Sequence, residues 1–316
     1  MNKSTFIIKR LLACFITLFT LSFVIFSLLF LAPGDPARNL VGTRRVTDEL
    51  LEQIRAQHHL DEPFLAQYSR WLRGAVNFDF GRSIRTNMDI IDHVAPHAGV
   101  TFQLVGISLV FSICLAVPLG IFAAKNKGKK IDRVINIMAL VGSSAPGFAV
   151  GLILLYFFAF RLRLFPMYGA SGIDSLILPA ITLSISMGAF IVKLTRQAML
   201  NEISSDYTVF MRARAVLPHK ILDAQLKNAS SPILTSTGLL LAGLFGSTVL
   251  VETIFSIPGL GSLLTSAVTF RDVPVVQFIA LALAVIICLA SAFTDIIVYL
   301  LNPNVHQSSK SKQGGL

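Results

Sequence analysis

Long apolar runs alternate with short polar stretches along almost the whole chain. Leu11 to Leu31, Val100 to Ala124, Val134 to Phe160, Leu176 to Leu194, Ile233 to Val251 and Val275 to Leu301 are nearly free of charge. Each approaches or exceeds the roughly 20 residues a helix needs to cross the hydrocarbon of a bilayer. The pattern predicts an all-α integral membrane protein with six transmembrane helices. The first run follows Lys9-Arg10, has no small-residue cleavage site and stops at Pro33-Gly34-Asp35-Pro36. It reads as a retained helix, because the apolar core of a cleaved signal peptide is shorter. Pro118, Pro146 and Pro179 fall within or at the start of spans, where neighbouring helices re-satisfy the carbonyls that proline frees.

Two polar stretches are too long to be simple connectors. In Pro33 to Ala98, Thr47 can cap a helix with Asp48 and Glu49 in its first turn and Leu50, Leu51 and Ile54 as its apolar side. Pro63 suits the first turn of a second helix, whose Phe64, Leu65, Tyr68, Trp71, Leu72 and Val76 recur on one face. This predicts a small helical cap over the bundle. In the stretch 196–231, Tyr207, Phe210, Met211 and Ala215 share a helical face, with Asp206 at its start and Arg212 and Arg214 in its later turns. Pro218 disfavours helix at Leu217, after which Ile221, Leu222, Gln225 and Leu226 restart a short helix. Such a helix–break–helix fits either a docking site for a soluble partner or an amphipathic element lying on lipid. The pattern divides the chain into 1–32 (N-terminus and first span), 33–98 (outer segment), 99–301 (five-span core) and a tail, 302–316.

Charge sets the orientation. Of 316 residues only 14% are charged, and the net charge is +10. In a soluble chain that excess would suggest nucleic acid; beside apolar helices it marks the cytoplasmic side. With both termini inside, the first inner loop carries Lys125, Lys127, Lys129, Lys130 and Arg133, and the second Lys193, Arg196, Arg212, Arg214, Lys220 and Lys227. The short outer loops hold only Arg161, Arg163 and Arg271. The expected location is therefore a membrane crossed several times with both termini cytoplasmic, with membrane lipid around it and no nucleic acid as partner.

Candidate chemistry is sparse. The sequence has no phosphate-binding G-x-x-x-x-G-K-[ST] run, no G-x-S-x-G and no H-E-x-x-H. Cys14, Cys114 and Cys288 lie inside apolar runs without disulfide or metal spacing. His58-His59 point to different helical faces and no further ligand completes a metal set. No catalytic residue, metal or cofactor is expected. Gly238, Gly243 and Gly246 place small residues along the fifth span, as close helix contact, a pathway, or ordinary membrane glycine would. Glu252 and Asp295 are acids near span ends, open to a functional role or to interface anchoring.

Several ordered motifs resemble the permease subunits of bacterial ABC importers for dipeptides, oligopeptides and nickel. They are Leu31-Ala32-Pro33-Gly34-Asp35-Pro36, Asp61-Glu62-Pro63, Gln67-Tyr68, Trp71-Leu72, Asp79-Phe80-Gly81-Arg82-Ser83, Ile177-Leu178-Pro179-Ala180, Val251 to Gly261 and Arg271 to Gln277. The resemblance spans about Phe6 to Asn304. It implies a sister permease sharing the pathway, two ATPase subunits that bind the ATP, an extracytoplasmic substrate-binding protein, and import of peptides, nickel or a metal chelate. It also implies that Asp206, Tyr207, Phe210, Met211, Arg212, Arg214, Ala215, Val216 and Leu217 couple to the ATPase. The family has Gly where this chain has Ala215, Trp at Ile257 and Asp at Asn302. Gly at position 215 would permit a left-handed turn that Ala makes costlier. The competing class, a secondary transporter or channel without an ATPase, would need inverted repeats and a midplane ion site, and the sequence displays neither.

Overall fold

A computed structural model describes residues 3–30, 47–57, 61–169 and 172–301. The helices are α1 (Lys3–Phe30), α2 (Asp48–Gln57), α3 (Phe64–Val76), α4 (Ile90–Lys125), α5 (Lys130–Ser144), α6 (Gly147–Leu154), α7 (Ile173–Ile203), α8 (Asp206–Ala213), α9 (Pro218–Ile254), α10 (Leu260–Thr269) and α11 (Val273–Leu301). A π-helical stretch, Leu155–Arg161, continues α6. The motif Leu31 to Pro36, His58-His59, Asn302 and the tail lie outside the described residues.

Among the described residues five helices are long and apolar enough to cross a bilayer: α1, α4, α7, α9 and α11. The expected third span, Val134 to Phe160, is a bent pair: α5 and the α6–π segment meet at 104°. Ala145 and Pro146 are both extended there (ψ 132° and 129°), as expected of proline and the residue before it. Among the described residues the six expected spans thus stand as five continuous helices, or six if the bent pair makes one span. Pro96, Pro118, Pro179 and Pro232 sit inside continuous helices.

α7 is the central helix. Of its apolar stretch 67% is buried, against 11% for α1. It packs on α4, α9, α5 and α6 around a core that includes Leu104, Leu183, Ile191, Leu244 and Phe255. α1 lies outside, held to α11 by an Arg10–Asp295 ion pair, by Arg10 donating to Ser291 Oγ (2.6 Å) and by Cys14 Sγ donating to the Cys288 carbonyl (3.6 Å). Asp295 therefore anchors α1.

Helix α3 rests on α1. Tyr68 is buried among Phe19, Phe23 and Phe26, and its hydroxyl shares a 2.8 Å hydrogen bond with Ser22. Leu65 and Val76, expected on the same buried face, are 68% and 71% exposed. The core begins earlier than expected: α4 starts at Ile90, capped by the Asp89 carboxylate accepting from Ile91 N (2.9 Å).

Candidate functional site

The stretch between α7 and α9 is built as a rigid bracket. Ser205 precedes α8 in an extended conformation. The Glu202 carbonyl accepts from Ser205 Oγ (2.6 Å) and Thr208 Oγ1 (2.7 Å), and Tyr207 donates to Glu202 Oε2 (2.7 Å). Thr208 is fully buried and accepts from Gln225 Nε2 on α9 (3.3 Å). Tyr207 is thus a strut to the end of α7, and Thr208 pins α8 to both flanking helices.

α8 ends in a left-handed turn. Ala215 has φ 54°, Val216 N donates to the Met211 carbonyl (3.1 Å), and Ala215 N to that of Arg212 (3.0 Å). This pair of bonds is the Schellman motif, in which glycine usually fills the left-handed position. Leu217 is extended (ψ 135°) and Pro218 opens α9. The expected break is there, but the expected short second helix is the first part of α9, which runs unbroken to Ile254. Replacing Ala215 with Gly should relieve the left-handed strain and raise stability by roughly 0.5–1 kcal/mol, read as a small upward shift in the melting midpoint of the purified chain. A lowered midpoint would mean that the turn is not strained.

The bracket leaves an apolar face open. Val209, Phe210 and Leu217 are 58%, 56% and 54% exposed. The Arg214 guanidinium stacks 4.2 Å from the Phe210 ring centre, which stiffens both side chains. Asp206 and Arg212 are exposed, while Met211 and Val216 are half-buried on the inner side. The loop between α4 and α5 is fixed to the same end of the bundle. Asp132, 4% exposed, accepts from Arg196 Nε and Nη2 (2.7 and 2.9 Å), Gly128 N (2.9 Å) and Asn136 Nδ2 (2.7 Å). Sequence reasoning assigned Arg196 only to loop charge; nothing local marks Asp132 as its partner.

At the other end of α9, Glu252 is fully buried. Its carboxylate accepts from Thr101 Oγ1 on α4 (2.7 Å), Gly261 N (2.7 Å) and Ser262 N (3.1 Å), and Thr101 Oγ1 accepts from Leu260 N (2.8 Å). The N-cap of α10, Gly259, has no side chain to accept these donors; α9 and α4 supply the cap instead. A methyl group at Gly259 would lie 2.4 Å from the Glu252 carboxyl, and one at Gly261 2.4 Å from Val249 Cα. The string Val251 to Gly261 is therefore one structural device. Gly238 is pressed against Thr294 of α11, Gly243 faces Met187 and Gly246 meets open space. These three and Glu252, grouped as pathway candidates, are not brought to one site.

A second clamp joins two other motif strings. Asp272, 4% exposed, accepts from Ser83 Oγ (2.5 Å), Ile84 N (3.1 Å) and Arg85 N (3.4 Å). Phe80 packs edge-on against Phe278, with ring centres 4.5 Å apart.

Residues 116–307 match the family described as binding-protein-dependent transport system inner membrane component, and residues 3–116 its N-terminal companion. The chain belongs to this family. It is 33% identical over 309 residues to the probable peptide ABC transporter permease protein y4tP of Sinorhizobium fredii, covering 95% of this chain and 98% of that one. It is also 33% identical over 301 residues to the glutathione transport system permease protein GsiC of Escherichia coli K12, with the same coverage. A chain of the inward-facing MetNI methionine ABC transporter superposes with a TM-score of 0.55 at 17% identity, over 66% of this chain and 95% of that one. That likeness concerns the fold alone. The protein is a multi-pass inner-membrane permease component of an ABC importer. Such a component works with an ATPase, a substrate-binding protein and a permease partner.

Proposed function

We propose that this chain and a sister permease form one import pathway, driven from the cytosol by two ATPase subunits that dock on the 196–231 stretch. An extracytoplasmic binding protein delivers the solute. Both termini are cytoplasmic. The solute is of the peptide class, glutathione included, in keeping with what the two relatives are named for; nickel or a metal chelate is the alternative within the wider group. The observation that carries the coupling role is the exposed face of α8 on a bracket that Tyr207 and Thr208 tie by hydrogen bonds to α7 and α9.

The bracket suits mechanical coupling. Closure of the ATPase pair would displace α8, and Tyr207–Glu202 and Thr208–Gln225 would pass that displacement to α7 and α9 together. α9 has 37 residues, a rod of about 55 Å. Glu252 sits in its last turn, so a tilt at the cytosolic end reaches the α10 cap on the far side. The bundle then alternates between inward-open and outward-open states, and loaded binding protein accelerates the cycle by favouring one of them. No bond chemistry falls to this chain.

The test is reconstitution with each component omitted in turn. The chain alone in liposomes should neither hydrolyse ATP nor concentrate solute. With sister permease, ATPase and loaded binding protein, ATP hydrolysis should be stimulated and uptake should exceed equilibrium. Uptake above equilibrium that persists without the ATPase and collapses with a proton uncoupler would establish a secondary transporter instead.

A further inference from the structure

The bend between α5 and α6 leaves one face of the central helix open. Ser186, Phe190, Lys193 and Gln197 of α7 recur at i, i+4, i+7 and i+11 and so share that face. α5 flanks it on one side, with Gly142 against Ala189 and Ile185, and α9 on the other, with Gly243 against Met187. Towards the start of α7 the same side of the helix is closed by α6, where Gly151 meets Thr182 and Gly147 meets Ser186. From Phe190 onward it lies open as a furrow: Phe190 is 48% exposed, Lys193 half-buried and Gln197 exposed. Ser143, Ser144 and Pro146, at the break, are exposed too.

Two features of this furrow are foreign to lipid. The first is the break. Pro146 has no N–H to give to the Gly142 carbonyl, and the last carbonyls of α5 and first N–H groups of α6 lack helical partners. Gly147 beside Ser186 sets the break level with the middle of the apolar run Leu176 to Leu194. Non-helical backbone at that depth is tolerated where it is buried in protein or faces water, and this chain leaves it uncovered. The second is Lys193. Its Nζ donates to Ser143 Oγ (2.7 Å), and no carboxylate among the described residues pairs with it. Arg196, three residues on, is taken by Asp132. An ammonium has three N–H donors, so two remain for another partner. A lysine facing lipid snorkels to the nearer headgroups. Lys193 reaches the other way, because Ser143 adjoins Gly142, which packs one and two turns nearer the middle of the run. We propose that the furrow is this chain's part of the water-filled path along which solute passes, and that Lys193 is an anion-binding group in it, receiving the carboxylate of a passing peptide. The proposal rests on the reading that this chain and a sister permease share an import pathway for peptide-class solutes. Water screens the pair, so the carboxylate is selected without being trapped.

The full importer, and separately the full chain alone, would be placed in nanodiscs, which leave both faces open to reagents. With Cys14, Cys114 and Cys288 changed to Ser, a thiol introduced by Phe190→Cys reports on the furrow one turn from Lys193. Two small thiosulfonate reagents serve as probes, one bearing a sulfonate and one a trimethylammonium group, each rate taken relative to that with free cysteine. Both should modify the thiol, with the sulfonate favoured by about tenfold. Lys193→Gln should abolish that preference and Lys193→Arg should keep it. Ser143→Ala, which removes only the hydroxyl partner, should keep it too. In reconstituted vesicles Lys193→Gln should slow glutathione uptake by about fivefold while ATP hydrolysis stimulated by the binding protein persists; a lysine that only holds the fold would lower both together. A thiol reached by lipid-soluble N-ethylmaleimide but by neither charged reagent would put this face against lipid. One shielded only in the full importer would make the furrow a contact with the sister permease. Either result, or a preference unchanged by Lys193→Gln, overturns the proposal. Wild type that imports neither glutathione nor trialanine would count against the peptide class of solute, while the reagent ratio still decides Lys193.

Discussion

Glu252→Ala should leave the protein unable to hold the end of the bundle that carries α10. The carboxylate is fully buried and satisfies Thr101 Oγ1, Gly261 N and Ser262 N. Removing it leaves three donors without an acceptor at a site closed to water. Each orphaned donor costs about 1–3 kcal/mol, so a loss of at least about 3 kcal/mol is expected. Gly261→Val should be at least as damaging, because its side chain would meet the Val249 backbone, which cannot move aside as a flexible side chain can. Glu252→Gln keeps one acceptor oxygen and should fall between. The measurements are the yield of monodisperse protein and the melting midpoint in detergent. A Glu252→Ala protein that melts with wild type would mean that the α10 cap contributes little to the fold.

Phe210→Asp combined with Arg214→Glu should abolish uptake while leaving the chain folded and inserted. Phe210 and Arg214 form a stacked pair on the open face of α8, and neither supports the bracket, which depends on Tyr207, Thr208 and Glu202. An apolar anchor beside a cation is a typical centre of an interface. Two acids there remove the contact and oppose any acidic partner surface. The ATPase should no longer copurify, and uptake should drop to background with the melting midpoint unchanged. A transporting complex that retains its ATPase would return α8 to the role of a helix lying on lipid.

Parts of the candidate site were legible in advance because they depend on residues close in the chain. The break at Leu217-Pro218 follows from proline's ring, and the acidic and basic ends of α8 follow from the helix dipole. The left-handed turn at Ala215 was legible only through comparison with a family that keeps glycine there. Three further helix ends use the same device with residues that give no signal: Phe78 (φ 59°), Ser256 (φ 52°) and Arg271 (φ 56°). In each, the following N–H donates back across the helix end, as Asp79 N to Gly74, Ile257 N to Glu252 and Asp272 N to Ala267. Side-chain type does not reveal such turns. The packing on either side imposes a backbone conformation that the residue alone would avoid.

Hydropathy by itself determined that the protein is a helical membrane bundle and where its apolar runs lie, because the cost of burying polar groups in lipid acts on each residue wherever its neighbours are. Lys and Arg placement set the expected orientation for the same reason. Tertiary structure alone decided the 104° bend, the fusion of the second coupling segment with the fifth span and the existence of α10. It also decided which acids would be buried as caps. Thr101 and Glu252 are 151 positions apart, and Ser83 and Asp272 are 189 apart. A carboxylate becomes a helix cap only when a distant element brings its N–H groups within about 3 Å, and that distance is a property of the folded bundle.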